Sequence, residues 1–149
     1  MKQKVLDVIL QRCTGCHSCE LMCSFHKEKE FDLTKARIRV VVNEAMAISI
    51  PAVCMQCADA PCLAVCPTGA LYRNAAGVVA VEEKQCIGCR MCSLACPFGA
   101  MHFHAAKKAA FKCDLCQGEP QCVRVCAPGA LKLVEREATG SVQLRKTTD

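Results

Sequence analysis

A chain of 149 residues with a formal net charge of +5, 4% aromatic residues and no Trp has room for one domain or two small pseudo-repeats, and few large side chains to fill a core. Its basic residues, Lys2, Lys4, Arg12, Lys35, Arg37, Arg39, Lys107, Lys108 and Lys112 among them, are scattered without a basic run or interleaved aromatics, which argues against nucleic acid as a partner. Sixteen cysteines would suit a secreted disulfide scaffold, but residues 1–10 lack the apolar run and cleavage site of a secretion signal, so reduced thiols in the cytoplasm are expected. No window reaches the roughly 18 to 20 apolar residues that cross a bilayer, and the nearest, residues 45–55, is interrupted by Pro51, so no direct membrane insertion is expected.

In chain order, a β-prone stretch, VLDVIL, leads into the first cysteine group, Cys13, Cys16, Cys19 and Cys23. Residues 24–53 form the largest insertion and carry two further β-prone stretches, ARIRVVVN and AISIPAV. The second group follows as Cys54, Cys57, Cys62 and Cys66, and a predicted hairpin, ALYRNAAGVVAV, links it to the third, Cys86, Cys89, Cys92 and Cys96. AMHFHAAKKAAFK precedes the fourth group, Cys113, Cys116, Cys122 and Cys126, and ALKLVERE follows it. Long helices are not indicated. The chain reads as a single domain over residues 1–137 with a polar tail over 138–149.

Every cysteine belongs to a group, and three of the groups end alike, in CPTGAL, CPFGAM and CAPGAL, whereas the first runs into CSFHKE. This is an internal repeat whose first unit is divergent. Three cysteines within seven residues let a tight loop wrap three corners of a cuboidal 4Fe-4S cluster, its N–H groups turned toward the sulfurs. The fourth cysteine begins a short helical turn facing away, and so reaches a different cluster. Structural zinc sites usually combine two separated C-x-x-C knuckles, so a zinc-binding interaction module is the weaker reading. Four oxidised clusters would add about −8 and bring the protein from +5 to about −3, so the excess of Lys and Arg reads as compensation.

With four cysteines for each cluster, no vacancy requires a histidine: His17 is expected to support the first loop, and His26, His102 and His104 to be ordinary surface or strand residues. Asp59 and Asp114 read as loop-capping residues, and Met55 and Met91 as hydrophobic shields between ligands. No nucleophilic triad, phosphate loop or nucleotide fingerprint is present, so no catalytic site is expected.

The four groups, the order of their gaps, CPTGAL, CPFGAM and the APC before Cys66 resemble the four-cluster iron-sulfur electron-transfer subunits of molybdenum and tungsten oxidoreductase complexes. The stretch CELMCSFHKEKEFDLTKARIRV is most similar to the small polyferredoxin subunit that accompanies tungsten aldehyde oxidoreductases and related benzoyl-CoA reductase systems. The resemblance implies an α+β fold in which two ferredoxin-like lobes, built of short strands and short helices, pack around four 4Fe-4S clusters in a row. It also implies the ligand sets. Cys13, Cys16 and Cys19 would share a cluster with Cys126; Cys113, Cys116 and Cys122 with Cys23; Cys54, Cys57 and Cys62 with Cys96; Cys86, Cys89 and Cys92 with Cys66. The implied role is electron relay from a large tungsten- or molybdenum-pterin catalytic subunit to a flavin (FAD) subunit that reduces NAD, with head-to-tail association of copies of the chain as a further option. A free polyferredoxin, or a subunit of a formate dehydrogenase, hydrogenase or carbon monoxide dehydrogenase complex, is the alternative.

Overall fold

The computed structural model describes residues 2–137, so the polar tail expected over 138–149 lies outside the described residues. Along them run β1 (Lys2–Val8), α1 (Ser18–Glu28), β2 (Arg39–Asn43), β3 (Ile48–Ala52), α2 (Pro61–Ala64), β4 (Leu71–Arg73), β5 (Val79–Val81), α3 (Met91–Ala95), β6 (Met101–His104), β7 (Ala109–Lys112), α4 (Gln121–Arg124) and β8 (Leu131–Glu137). This is a small α+β fold of short strands and helices, with the strands paired in antiparallel ribbons. Three of these are local hairpins, β2–β3, β4–β5 and β6–β7. The fourth joins the two extremes of the described chain, β1 to β8, in a register running from Lys2 opposite Glu137 to Val8 opposite Leu131.

The long-range ribbon decides which cysteine groups meet. β1 feeds the first group and β8 leaves the fourth, so pairing them lays α1 against α4. The β4–β5 hairpin turns the chain back between the second and third groups, and α2 packs on α3. That hairpin is tight because the Asn74 side chain accepts hydrogen bonds from the N–H groups of Ala76 and Val78, each at 3.0 Å. Buried apolar residues form two clusters that follow this division. One gathers Leu6, Ile38, Val53, Leu115 and Leu131 around Cys19, Cys23 and Cys122; the other gathers Leu71, Val79, Met101 and Ala110 around Cys62 and Cys92.

Each helix carries the third cysteine of its group, and the two gap lengths in the repeat correspond to two ways of starting that helix. In the first and third groups the helix begins directly after a left-handed residue, His17 at φ 58° and Arg90 at φ 62°. In the second and fourth the longer gap ends in proline, Pro61 as the first residue of α2 and Pro120 as the cap before α4, where the missing N–H costs nothing. α1 departs from expectation: it runs for 11 residues instead of a single short turn. Pro67, Pro97 and Pro128 stop the chain after the other three fourth cysteines, whereas Ser24 follows Cys23 and continues the helix until Lys29 turns left-handed. The extension places Phe25 in a parallel stack on Phe31, ring centroids 4.7 Å apart.

Gly15 and Gly88 precede the second cysteine of their loops and are pressed by neighbouring hairpins. A Cβ at Gly88, where φ is +72°, would lie 2.7 Å from the carbonyl oxygen of Lys108 in the β6–β7 turn. Gly99, at φ +60°, has nothing within 4 Å. Gly99→Ala should therefore lose about 1–2 kcal/mol, the cost of a left-handed L-residue alone. Gly88→Ala should lose more, because a backbone oxygen must also move. Thermal midpoints of the two variants measured side by side test this order.

Candidate metal centres

Three cavities are lined by four cysteines each, and in each case three come from one group and the last from another. Cys23, Cys113, Cys116 and Cys122 line a cavity of about 380 Å³, part of it open to solvent. Cys54, Cys57, Cys62 and Cys96 line a second of about 370 Å³, and Cys66, Cys86, Cys89 and Cys92 a third of about 340 Å³. In the remaining set, the charges of Cys16 and Cys126 both act on Cys19, while Cys13 follows the turn Leu10–Arg12 and caps it through its N–H. In these three cavities the last cysteine comes from the group that the pairing of β1 with β8 or the β4–β5 turn brings alongside.

Several of these thiols resist ionisation in the metal-free protein. Burial pushes Cys19 up to about 12, with the carboxylate of Glu20 adding to the effect. Burial likewise takes Cys113 to about 12 and raises Cys23, Cys57, Cys62, Cys92 and Cys122. Cys16 goes the other way, lowered by the hydroxyl and N–H of Ser18. Cys66 is lowered too: burial opposes its thiolate, but the N–H of Leu71 and the Thr68 hydroxyl and N–H together outweigh burial. Further N–H groups already point at sulfur, from Arg37 to Cys23 at 3.3 Å, Ala110 to Cys86 at 3.4 Å and Leu115 to Cys113 at 3.5 Å. The thiolate is the form that ligates metal, so buried thiols raised in this way require a cationic core among them before they ionise.

The arrangement suits an iron-sulfur core. Three of the sets surround a space, and among the described residues no three His, Cys, Asp or Glu side chains converge as they would about a single ion. With such cores bound, the centres supply reversible one-electron chemistry.

Several supporting residues were not legible in the sequence. Glu20, almost wholly buried in the first turn of α1, accepts the N–H of Val40 at 3.1 Å and pairs with His17, tying the first loop to β2. Asp114, expected only to cap its loop, does accept the N–H of Cys116 at 3.0 Å, and it also binds Lys27 at 2.8 Å and Arg37 at 3.2 Å. Burial opposes ionisation of Asp114, but these two cations hold its carboxyl below the ordinary carboxylate range. Met55 packs against the core, whereas Met91, expected to act as a shield, is 47% exposed. His102 stands in β6 with His104, both against Phe111, and is more than the ordinary strand residue expected. Its buried Nε2 has no partner among the described residues, and burial, then Arg39, push its pKa down to about 4. Asp59 is exposed.

Residues 45–136 match the 4Fe-4S dicluster domain family. The chain belongs to that family. The matched segment holds the second, third and fourth cysteine groups; Cys13, Cys16, Cys19 and Cys23 precede it. Among curated relatives, the formate hydrogenlyase subunit 2 of Escherichia coli is 39% identical over 55% of this chain and 39% of its own. The thiosulfate reductase electron transfer subunit PhsB of Salmonella typhi is 35% identical (55% and 46%), and the electron transport protein HydN of Escherichia coli 41% (54% and 49%). The chain therefore spans about half the length of the curated relatives it matches, or less. Among solved structures, a chain of the active site complex BamBC of benzoyl coenzyme A reductase, with zinc, is 26% identical with a TM-score of 0.57, covering 98% of this chain and 84% of that one. No helix among the described residues is long and apolar enough to cross a membrane.

Two outcomes are expected of this dicluster-family protein. Asp114→Ala should strand Lys27 and Arg37, only 14% and 15% exposed, and destabilise the protein by about 1–3 kcal/mol, read as a lower thermal midpoint under anaerobic conditions. Removing iron by chelation should abolish most of the native circular dichroism, since the cysteine sets form much of both cores; a native-like spectrum after full iron loss would contradict this.

Proposed function

We propose that the chain is an electron-transfer subunit of an oxidoreductase complex and carries four 4Fe-4S clusters. One would be held by Cys13, Cys16, Cys19 and Cys126, the next by Cys113, Cys116, Cys122 and Cys23, a third by Cys54, Cys57, Cys62 and Cys96, and the last by Cys86, Cys89, Cys92 and Cys66. The observation that carries this reading is the lining of three separate cavities by four cysteines each, every one mixing two groups. The two apolar clusters support a division into two ferredoxin-like lobes, one around the first and fourth groups and one around the second and third. The relatives named as electron transfer proteins support the relay, and no catalytic residue set is needed for it.

What the chain's own residues do is hold charge out of water at short range. The third cysteine of each group is buried at the start of its helix, and backbone N–H groups aimed at sulfur stabilise the thiolates without a side chain that could react. Cys16 and Cys89 are exposed, one in each outer set, which suits electron entry and exit at two separate places. On the family resemblance, the partner is a large tungsten- or molybdenum-pterin catalytic subunit, of aldehyde oxidoreductase type, with a flavin subunit as acceptor. The structural likeness to a chain of the active site complex BamBC supports assembly with a catalytic partner, without bearing on its metal or substrate.

The test is a metal count on the anaerobically purified protein, combined with paired substitutions. About sixteen irons per chain are expected, and about eight would overturn the four-cluster reading. Cys66→Ser with Cys86→Ser should cost no more iron than either alone, because both serve one cluster. Cys66→Ser with Cys57→Ser should cost about twice as much. The reverse pattern would refute the exchange of ligands. Tungsten or molybdenum and a large subunit co-purifying with the chain would identify the partner class, and iron without any partner would favour a free ferredoxin.

A further inference from the structure

Lys112 ends β7 and stands immediately before Cys113. It is only 3% exposed, yet among the described residues it has no carboxylate partner. Its ammonium donates to the carbonyl oxygens of Val79 at 2.5 Å and of its neighbour Cys113 at 2.9 Å. The same two residues are tied a second time by Gln56: its Nε2 donates to the Cys113 carbonyl at 2.8 Å, and its Oε1 accepts the N–H of Val79 at 2.9 Å. A neutral amide therefore serves as one of the two ties between β5 and the fourth loop. Burying an ammonium for the other is costly, and a fixed charge at this place acts on whatever lies beside it.

What lies beside it is the cavity of Cys54, Cys57, Cys62 and Cys96, which Lys112 lines, and through Cys113 the cavity next to it. Burial raises Cys57, Cys62 and Cys113, and the Lys112 charge works against that rise at all three. The neighbouring cavity has Lys27 and Arg37, but Asp114 offsets part of their charge. The third cavity has Arg90, an exposed side chain lying 4.0 Å over the Phe103 ring, where water screens it. Lys112 is thus the uncompensated, unscreened cation of the three cavities.

We propose that Lys112 is a fixed positive charge that raises the reduction potential of the cluster held by Cys54, Cys57, Cys62 and Cys96. This rests on the cluster assignment made above. A 4Fe-4S centre with four thiolates becomes more negative by one charge when it takes up an electron, so a nearby cation in a low-dielectric interior favours the reduced form. Set at the seam between the two apolar clusters, it biases electrons toward the middle of the protein. Lys112 is a positioning residue in this sense: it holds charge near the centre and does not ligate it.

The experiment compares wild type, Lys112→Met and Gln56→Met, each counted for iron and sulfide and then titrated anaerobically with electron paramagnetic resonance detection. With iron unchanged in Lys112→Met, the midpoint of one cluster should fall, so that its reduced-to-oxidised ratio at the wild-type midpoint drops about tenfold, or about 59 mV for a one-electron couple. Gln56→Met removes the parallel tie without removing charge and should leave that ratio within about twofold. An unshifted Lys112→Met, or an equal shift in Gln56→Met, would overturn the proposal, the second by tracing the effect to the tie. If Lys112→Met fails to load, Lys112→Gln, which keeps a donor, is titrated in its place with the same fall expected. Loss of the cluster from both, with Gln56→Met intact, would make the ammonium a requirement of assembly and equally overturn a tuning role. Wild-type protein without iron and sulfide would instead defeat the cluster assignment, before any substitution is read.

Discussion

Sixteen thiols, twelve of them lining three cavities in fours, cannot ionise together inside a protein unless a cationic core sits between them, and the rest of this structure depends on that constraint. Burial raises several of them, Cys19 and Cys113 to about 12, so the metal-free protein keeps these neutral. The same cysteines belong to or pack against the apolar clusters, alongside few large side chains: Leu6, Ile38 and Leu115 are the bulkiest that are fully enclosed. Metal binding and core formation are therefore one process here, and the backbone N–H groups aimed at sulfur are its fixed scaffold.

Around that constraint the chain uses its other polar groups to hold loops in place. Glu20 fastens the first loop to β2, Asp114 fastens the fourth loop to α1 through Lys27, and Gln56 fastens the second loop to the fourth. Each works across elements distant in sequence, so each makes one cysteine loop's position depend on another part of the fold. Lys112 belongs to the same network and is the member whose charge is not matched by a carboxylate among the described residues. A buried charge of this kind acts on a redox centre's potential at little cost to its geometry, which is why the two effects can be separated by comparison with Gln56.

Much of this was legible in the sequence. The four groups, the strands between them and the hairpin over Asn74 and Gly77 all appear where the pattern of β-prone stretches and turn residues puts them. Two features did not. The absence of proline after Cys23 is visible in CSFHKE, but that it lets α1 run to 11 residues, where a short turn was expected, depends on α4 packing against it. Met91 sits between ligands in the chain yet is 47% exposed as the first residue of α3, where exposure is decided by how that short helix packs.

Chemistry is written locally in this chain: cysteines at three-residue spacing, in a repeat that uses all sixteen, specify sulfur ligation of an iron-sulfur core because loop geometry at that spacing involves only near neighbours. The stops and turns are encoded for the same reason, since proline and Asx turns act over a few residues. Which loops face each other is settled by folding, through a β1–β8 ribbon that pairs residues more than a hundred positions apart. The charges around the cavities are settled there as well. Lys112 and Gln56 are ordinary residues in the linear chain and Asp114 reads there only as a loop cap; what they do beyond that depends on burial and on partners that no local pattern encodes.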